Sequence, residues 1–190
     1  MCGLFRDRYR TGSGRYRGYD YSLPGRYYVT ICTKDKTHFF GEIKNGEMRL
    51  SKIGEIVKDE WLKTSGIRPD MNITIGDYVI MPDHVHAIII IGENQYNVDK
   101  NVSCDIIRRD AMHCVSTKSV DKNSLTEANF FGPQSKNLAS IIRGFKSAVT
   151  GHARRIEPGF AWQPRFYDHI IRTNADLHRI RSYIKNNPSK

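Results

Sequence analysis

The stretch from Met81 to Gly92, MPDHVHAIIIIG, constrains the fold of this chain more than any other. Its run of β-branched residues is typical of a buried strand. Side chains alternate between the two faces of a strand, so His84 and His86 lie on one face, about 7 Å apart along the backbone. Ile88 and Ile90 continue that face, and the opposite face is formed by Val85, Ala87, Ile89 and Ile91. A strand that is apolar on both faces predicts a position in the interior of a sheet.

The His-Val-His pattern has two interpretations. Two imidazoles held side by side on a rigid strand form a candidate pair of metal ligands. The alternative is a pair of half-buried structural histidines, and three residues alone do not decide between them.

The charge balance indicates a polyanionic partner. The chain has 190 residues, with 30 Lys and Arg against 20 Asp and Glu, and a formal net charge of +10. A length of this order is most simply one domain with its own core. An excess of positive charge attracts nucleic acid, while the alternative is a basic protein without such a partner.

Cysteine usage and hydropathy predict a cytoplasmic location. The four cysteines form no CxxC pair and no spacing typical of a disulfide framework, so a reducing compartment is expected. The sequence has no N-terminal signal-like apolar region and no apolar run near the length of about 18 residues that spans a membrane. We therefore expect neither secretion nor a membrane partner.

Residues 1–25 are predicted to form a flexible basic arm in which Arg, Tyr and Gly are interleaved. Arginine neutralises phosphate and tyrosine stacks on unpaired bases, which suits single-stranded or distorted nucleic acid. The alternative is that these tyrosines pack back on the domain. The candidate DNA-binding residues in and next to the arm are Arg15, Tyr16, Arg17, Tyr19 and Arg26.

Residues 26–190 are predicted to form a single domain with a variable insertion at about 93–135. The order of elements is strand, hairpin, helix, two strands, helix, strand, helix. The predicted ranges are a strand at 27–33, a hairpin at 38–43 and 47–50, a helix from Ser51 to about Gly66, strands at 72–80 and 81–92, a helix from Asn137 to about Arg155, a turn and strand at 161–172, and a helix from Asn174 to before Pro188. This order predicts an α+β fold that resembles a ferredoxin-like β-α-β-β-α-β core, with helices packed on an antiparallel sheet.

The helix that begins near Asn137 has a basic outer face. Arg143, Lys146, Arg154 and Arg155 lie largely away from its apolar stripe. We treat Arg143, Lys146 and Arg154, together with Arg165, as candidate DNA contacts. An ordinary solvated helix face is the alternative.

The last helix presents a phenol and an amide on one face. Tyr183 and Asn187 are four residues apart, next to the apolar stripe of Leu177, Ile180 and Ile184. Such a pair is able to serve a metal site together. A tyrosine beside an apolar stripe is also a common packing residue.

Taken together, these segments resemble a known family. MPDHVHAIIII resembles the HUH motif of single-strand DNA nickases and transposases, in which two histidines flank a hydrophobic residue. The ordered set YDYSLPGRYYVTICT, FFGEI, DEWL, MPDHVH, LASIIRGFKSAV, WQPRFYDHIIR and RIRSYIKNNP is similar to the REP-associated tyrosine transposases, relatives of the insertion-sequence single-tyrosine transposases. The resemblance covers Tyr19 to Pro188, apart from the segment after Gly92.

The resemblance implies a role for each matching residue. His84 and His86 match the metal ligands on a central strand, Tyr183 matches the nucleophile on the C-terminal helix, and Asn187 matches a polar metal ligand. The implied cofactor is Mg²⁺ or Mn²⁺, and two imidazoles favour the softer Mn²⁺. Asp83 stands where Asn is frequent in the motif, which places an extra negative charge beside the metal.

The same resemblance implies transposase activity on single-stranded hairpin DNA formed by palindromic repeats, by a monomer or a homodimer. Tyr183 attacks a phosphodiester, which produces a 5′-phosphotyrosine link and a free 3′-hydroxyl. Tyr167 is the rival nucleophile and His169 the rival ligand. Two other functions stay open: a hairpin-binding regulator without activity, and a metal-dependent phosphodiesterase that uses water.

Overall fold

The computed structural model describes residues 4–5, 9–10, 16, 19–98 and 135–187. Two short strands near the N-terminus, β1 (Leu4–Phe5) and β2 (Tyr9–Arg10), pair with each other in antiparallel fashion. This pair lies inside the segment that the sequence predicts to be a flexible arm. Arg15, Arg17 and residues 99–134 of the predicted insertion lie outside the described residues.

The other strands are β3 (Gly25–Cys32), β4 (Gly41–Lys44), β5 (Glu47–Leu50), β6 (Ile73–Ile80), β7 (His84–Ile91) and β8 (Tyr167–Ile171). The strands β4 and β5 form a separate hairpin, and the remaining four form an antiparallel sheet with strand order β6-β7-β3-β8. The helices are α1 (Lys52–Ile67), α2 (Leu138–Ala153) and α3 (Asn174–Lys185). The α+β class, with helices on an antiparallel sheet, is confirmed.

Local sequence signals account for where these elements begin and turn. Asn45 and Gly46 take positive φ angles of 55° and 78° in the β4–β5 turn, as the Asn-Gly pair predicts. The Ser51 side chain accepts a hydrogen bond from the Gly54 amide at 3.1 Å and caps α1. Asn137 forms a reciprocal capping box with Ser140 at the start of α2. Each cap satisfies amide groups that the first helical turn leaves without partners.

The sheet separates two apolar cores of unequal size. The larger core contains inward-facing residues of the sheet together with those of α1 and α2, such as Val57, Trp61 and Ile142, all fully buried. The smaller core lies under α3 and consists of Tyr28, Ile88, Ile171, Leu177, Ile180 and Ile184. Because β7 is paired on both sides, its histidines stand on a strand that is fixed along both edges.

The predicted domain starts at residue 26, but residues before that position also pack into the core. Tyr21 is buried in the larger core, and Tyr19 packs against that core. Asn97, within the predicted insertion, is fully buried, and its side-chain amide donates to the Ser22 carbonyl oxygen at 3.0 Å. Among the described residues, no helix has both the length and the apolar character that crossing a membrane requires.

Candidate functional site

His84 and His86 lie on the face of β7 that α3 covers, at the end of the sheet where β3 finishes. In the register of β3 and β7, Cys32 pairs with His84 and Thr30 pairs with His86. The Nε2 atoms of the two imidazoles are 3.0 Å apart, and the ring centroids are 4.5 Å apart. The two side chains therefore converge on one point, as the alternation of the strand predicts.

The other ring nitrogen of His84 is held by a carboxylate. Its Nδ1 lies 2.5 Å from Oδ1 of Asp83. A carboxylate accepts hydrogen bonds, so Nδ1 is the donor, and in a neutral imidazole the lone pair is then on Nε2. This is the tautomer in which Nε2 binds a cation, and a carboxylate partner is a common outer support of metal-bound histidine.

Two hydroxyl groups hold Nδ1 of His86. The Tyr28 hydroxyl lies 2.7 Å away and the Thr30 hydroxyl 2.9 Å away. The Tyr28 ring also stacks on the His86 imidazole, with centroids 5.6 Å apart and an interplanar angle of 18°. Both hydroxyls are able to accept from an Nδ1 proton, which leaves Nε2 of His86 free to face Nε2 of His84.

Burial controls the protonation of this cluster. Burial, and then the neighbouring His84, lower the pKa of His86 to about 4, although Asp83 acts in the opposite direction. His86 is therefore a neutral imidazole at neutral pH, the form that coordinates a cation. Burial raises the pKa of Tyr28 to about 12, so its hydroxyl remains protonated. Tyr28 is consequently a hydrogen-bonding partner of His86 rather than a charged group.

The geometry fits a divalent cation. Two nitrogen ligands at about 2.1 Å from an octahedral ion, at a right angle, are separated by about 3.0 Å. The two Nε2 atoms have that separation. No group of three or more His, Cys, Asp or Glu side chains suited to a metal occurs in the described part of the chain. A third protein ligand must therefore be another kind of donor.

Asn187 is the candidate for that third donor. It is 8% exposed, and its side-chain nitrogen is buried without a hydrogen-bond partner among the described residues. A buried amide in this state is uncommon and calls for an unseen partner. It lies one helical turn beyond Tyr183, whose hydroxyl reaches the histidines. The unpaired atom is an NH₂ donor, which does not bind a cation, so Asn187 stays a predicted third ligand, and the two imidazoles are the metal donors that the described residues bring together.

Tyr183 stands at the edge of the same cluster. Its hydroxyl oxygen lies 3.3 Å from Nε2 of His86, and its side chain remains 41% exposed. Helix α3 positions it, because Ile180 and Ile184 bury the neighbouring stripe against the sheet. A phenol that is both accessible to a strand of DNA and close to the two imidazoles is well placed for nucleophilic chemistry.

Tyr167 and His169, the rival nucleophile and the rival ligand, contact groups other than His84 and His86. Tyr167 is 53% exposed on β8, and its ring meets the Tyr28 ring edge to face at 6.4 Å. Nε2 of His169 lies 2.6 Å from a carboxylate oxygen of Asp176 in the first turn of α3. His169 therefore contributes to attaching β8 to α3.

The predicted DNA contacts near the N-terminus differ in exposure. Tyr16 is 62% exposed, and the Arg172 guanidinium lies over its ring at 5.3 Å. Tyr19 is half-buried, and its hydroxyl lies 3.4 Å from that of Tyr27. The Arg26 guanidinium donates to the Asn174 side chain at 3.1 Å. Tyr16 is thus the aromatic side chain of this set that is open to a stacked base.

The predicted contacts on and near α2 divide in a similar way. Arg143 and Arg165 are exposed. The Lys146 ammonium donates to the carbonyl oxygens of Gln163 and Arg165, at 2.7 and 2.8 Å. The Arg154 guanidinium donates to the Phe160 carbonyl oxygen at 3.1 Å. Lys146 and Arg154 therefore attach α2 to the segment that precedes β8.

Sequence reasoning missed Tyr28 and Thr30 as part of the site. The sequence predicts them only as members of the strand at 27–33, YYVTICT. Their spacing of two residues places them on one face of β3, which is the signal that was available. Their match to His86 depends on the register between β3 and β7, which the sequence does not show.

Comparison with known proteins finds a relative by sequence and a neighbour by fold. No family model matches the chain. An uncharacterized protein of Haemophilus influenzae is 34% identical over 175 residues, which cover 92% of this chain and 86% of that protein. The structure of a REP-associated tyrosine transposase bound to a REP hairpin superposes with a TM-score of 0.54 and 19% identity, covering 92% of this chain and 72% of that chain.

The class is thus an α+β protein with the fold of a REP-associated tyrosine transposase, the fold that the resemblance implies. The chain belongs to the same family as the Haemophilus protein.

Proposed function

We propose that this protein is a metal-dependent DNA strand transferase that uses Tyr183 as its nucleophile. The observation that carries the proposal is the convergence of three atoms. Nε2 of His84 and the Tyr183 hydroxyl lie 3.0 and 3.3 Å from Nε2 of His86. With both Nδ1 atoms engaged by Asp83, Tyr28 and Thr30, the free lone pairs of the two imidazoles are directed to the place that the phenol reaches.

The reaction follows from these residues. The Tyr183 oxygen attacks phosphorus, forming a tyrosine–phosphate bond, while the bond from phosphorus to the 3′-oxygen breaks. The phenol loses its proton and the departing 3′-oxygen gains one. Because the covalent link preserves the energy of the phosphodiester, attack by another 3′-hydroxyl reverses the step and joins strands without a nucleotide cofactor.

Phenols are poor nucleophiles at neutral pH because their ordinary pKa is near 10. His84, His86 and Asn187 would hold a Mg²⁺ or Mn²⁺ ion, which would bind a phosphate oxygen and stabilise the charge that develops at phosphorus. The side chains around the ion supply orientation: Asp83 directs His84, while Tyr28 and Thr30 direct His86.

Single-stranded hairpin DNA is the proposed substrate. The net charge of +10 favours a polyanion. The transposase that shares this fold was solved with a REP hairpin bound. Of the predicted DNA contacts that the structure describes, Tyr16, Arg143 and Arg165 are exposed to such a strand.

The test is formation of a covalent protein–DNA adduct. End-labelled hairpin DNA with single-stranded flanks is incubated with protein and Mn²⁺, Mg²⁺ or EDTA, then resolved on a denaturing protein gel. We expect an adduct that requires the metal and is lost in Tyr183→Phe and in His84→Ala. Tyr167→Phe is the matched control, because it removes an exposed hydroxyl next to the same cluster and should leave the adduct.

Other outcomes would assign a different function. Cleavage without an adduct, unchanged in Tyr183→Phe, would indicate a phosphodiesterase that uses water. Tight binding of a repeat known to be cleaved by a relative, without any cleavage, would indicate a hairpin-binding regulator.

A further inference from the structure

An open cavity lies between the C-terminal half of α2 and the segment that leads into β8. Its volume is about 650 Å³. Lys146, Thr150, Gly151 and Arg154 line it from the helix, and Trp162 and Gln163 line it from the opposite segment. None of the functions assigned above uses this cavity as a unit.

The cavity is electropositive. Among the described residues that line it there is no Asp or Glu, and neither Lys146 nor Arg154 is paired with a carboxylate in the described part of the chain. Both cations instead donate to backbone carbonyl oxygens, which fixes their positions without cancelling their charge. A concave, positively charged wall attracts an anion such as a phosphodiester.

Trp162 supplies a rigid aromatic surface. Its ring nitrogen donates to the Lys146 carbonyl oxygen at 3.1 Å, and the rings of Phe40, Phe145 and Phe160 pack around it at 5.3 to 5.9 Å. The indole stays half-exposed at the cavity. A fixed aromatic ring in a basic groove is the combination by which proteins hold an unpaired base.

The cavity is close to the histidines. The backbone N–H of Gln163 donates to the Cys32 carbonyl oxygen at 2.9 Å, and Cys32 of β3 pairs with His84 of β7. Two strand-to-strand steps correspond to about 10 Å within the sheet, but Trp162 packs on the larger core, on the face opposite to the histidines. A DNA strand with a phosphate at the histidines therefore has to pass the edge of the sheet next to β8 to reach the cavity, which takes several nucleotides at about 3.4 Å per phosphate of a stacked strand.

We propose that this cavity binds one nucleotide of the single-stranded DNA that continues from the cleaved phosphate, with the base against Trp162 and a phosphate beside Lys146 and Arg154. The proposal rests on the proposed function, because it takes the same DNA strand to occupy both places. Gln163, exposed at the rim, is then positioned to contact the edge of the base.

Two glycines on α2 provide a matched test. Gly151 lines the cavity, whereas Gly144 lies two turns earlier on the same side of the helix, about 10 Å away. Apart from chain neighbours and the backbone of the same helix, no heavy atom of the described residues lies within 4 Å of a Cβ built at either position. Gly151→Glu therefore places a bulky negative charge in the cavity, while Gly144→Glu adds the same charge outside it.

The probe is a labelled oligodeoxythymidylate of about ten nucleotides, a length in the range that such grooves hold, measured by fluorescence anisotropy in EDTA. We expect Gly151→Glu to weaken binding about tenfold, comparable to the loss of one stacked base, and Gly144→Glu to change it less than about twofold. Ser147→Glu, also at the cavity, should behave like Gly151→Glu and guards against a folding defect in one variant.

Tryptophan emission gives a second readout. Trp61 is fully buried, so quenching by the oligonucleotide reports on Trp162. We expect quenching in the native protein and in Gly144→Glu, and its loss in Gly151→Glu. Equal binding by the two glycine variants, or an absence of quenching in the native protein, would overturn the proposal. Because these measurements need no cleavage, a failure to form the covalent adduct would refute the proposed function without deciding this one.

Discussion

The two faces of the central sheet are built from the same strands but have opposite chemistry. On the face covered by α1 and α2, alternate residues of β3 and β7 are buried and mostly aliphatic: Tyr27, Val29, Ile31, Val85, Ala87 and Ile89. On the face covered by α3, the intervening residues include Tyr28, Thr30, His84 and His86, which form a hydrogen-bonded cluster beside a smaller core.

The difference shows how a small domain holds a polar site rigidly. On β3 and β7, Tyr28, Thr30, His84 and His86 are each followed by a residue that anchors the strand in the larger core. A slip of one residue in the register would exchange the two sets and bury the imidazoles among aliphatic side chains. The larger core therefore fixes the position of the site, while the residues of the α3 face determine its chemistry.

The largest expected effect comes from substituting each of two adjacent isoleucines in β7 and comparing the losses of stability. Ile89 is fully buried in the larger core, whereas Ile90 is half-buried on the α3 face. Ile89→Ala should lower the free energy of unfolding by about 2–5 kcal/mol, because it leaves a cavity in tightly packed surroundings. Ile90→Ala should lower it by clearly less. Urea unfolding of both variants measures this, and equal losses would mean that the two faces contribute alike.

Acid should lower the stability of the fold through His86, which lies on the α3 face. The pKa of His86 is about 4 in the folded protein, below its ordinary value of 6.5, so the unfolded chain binds more protons between these values. Stability should therefore fall as the pH decreases from about 6.5 to 4, by up to about 3 kcal/mol. The measurement is unfolding in EDTA across this range, with His86→Gln as the comparison. A variant that loses as much stability as the native protein would exclude His86 as the cause.

The sequence predicted much of the fold, because each signal was local. The caps Ser51 and Asn137 marked the starts of α1 and α2, and Asn45-Gly46 marked the hairpin turn. Alternation along β7 predicted which residues share the face of His84. These features depend on neighbours within a few residues, so no knowledge of the tertiary structure was needed.

The supports of the site were harder to predict, because they depend on pairing between distant strands. Tyr28 and His86 are 58 residues apart in the chain. The attachment of Lys146 to carbonyl oxygens of the segment before β8 also needed the tertiary structure, since the sequence of a basic helix face does not show which of its cations contact backbone. Likewise, the packing of Tyr21 into the core was not distinguishable from an arm by composition.

The adjacent tyrosines of β3 sharpen the comparison of the two faces. Tyr28→Phe removes the hydroxyl that lies 2.7 Å from Nδ1 of His86, so Mn²⁺ affinity should fall about tenfold or more. Tyr27→Phe removes a hydroxyl on the opposite face, which donates to the Leu23 carbonyl oxygen at 2.8 Å. It should reduce stability by about 1 kcal/mol and leave Mn²⁺ affinity unchanged. Calorimetric titration measures both affinities, and an equal effect of the two substitutions would remove Tyr28 from the supports of the site.

Asp83 offers the smallest and most specific change on the α3 face. It places a carboxylate oxygen 2.5 Å from Nδ1 of His84. Asp83→Asn retains an oxygen that accepts the Nδ1 proton but removes the charge, so Mn²⁺ affinity should fall only about threefold. Asp83→Ala removes both the acceptor and the charge, and its loss should be about tenfold or more. If the Asn variant is as weak as the Ala variant, charge rather than orientation explains why a carboxylate supports His84. If the Asn variant keeps most of the affinity, the hydrogen bond that selects the tautomer is the main contribution of this position.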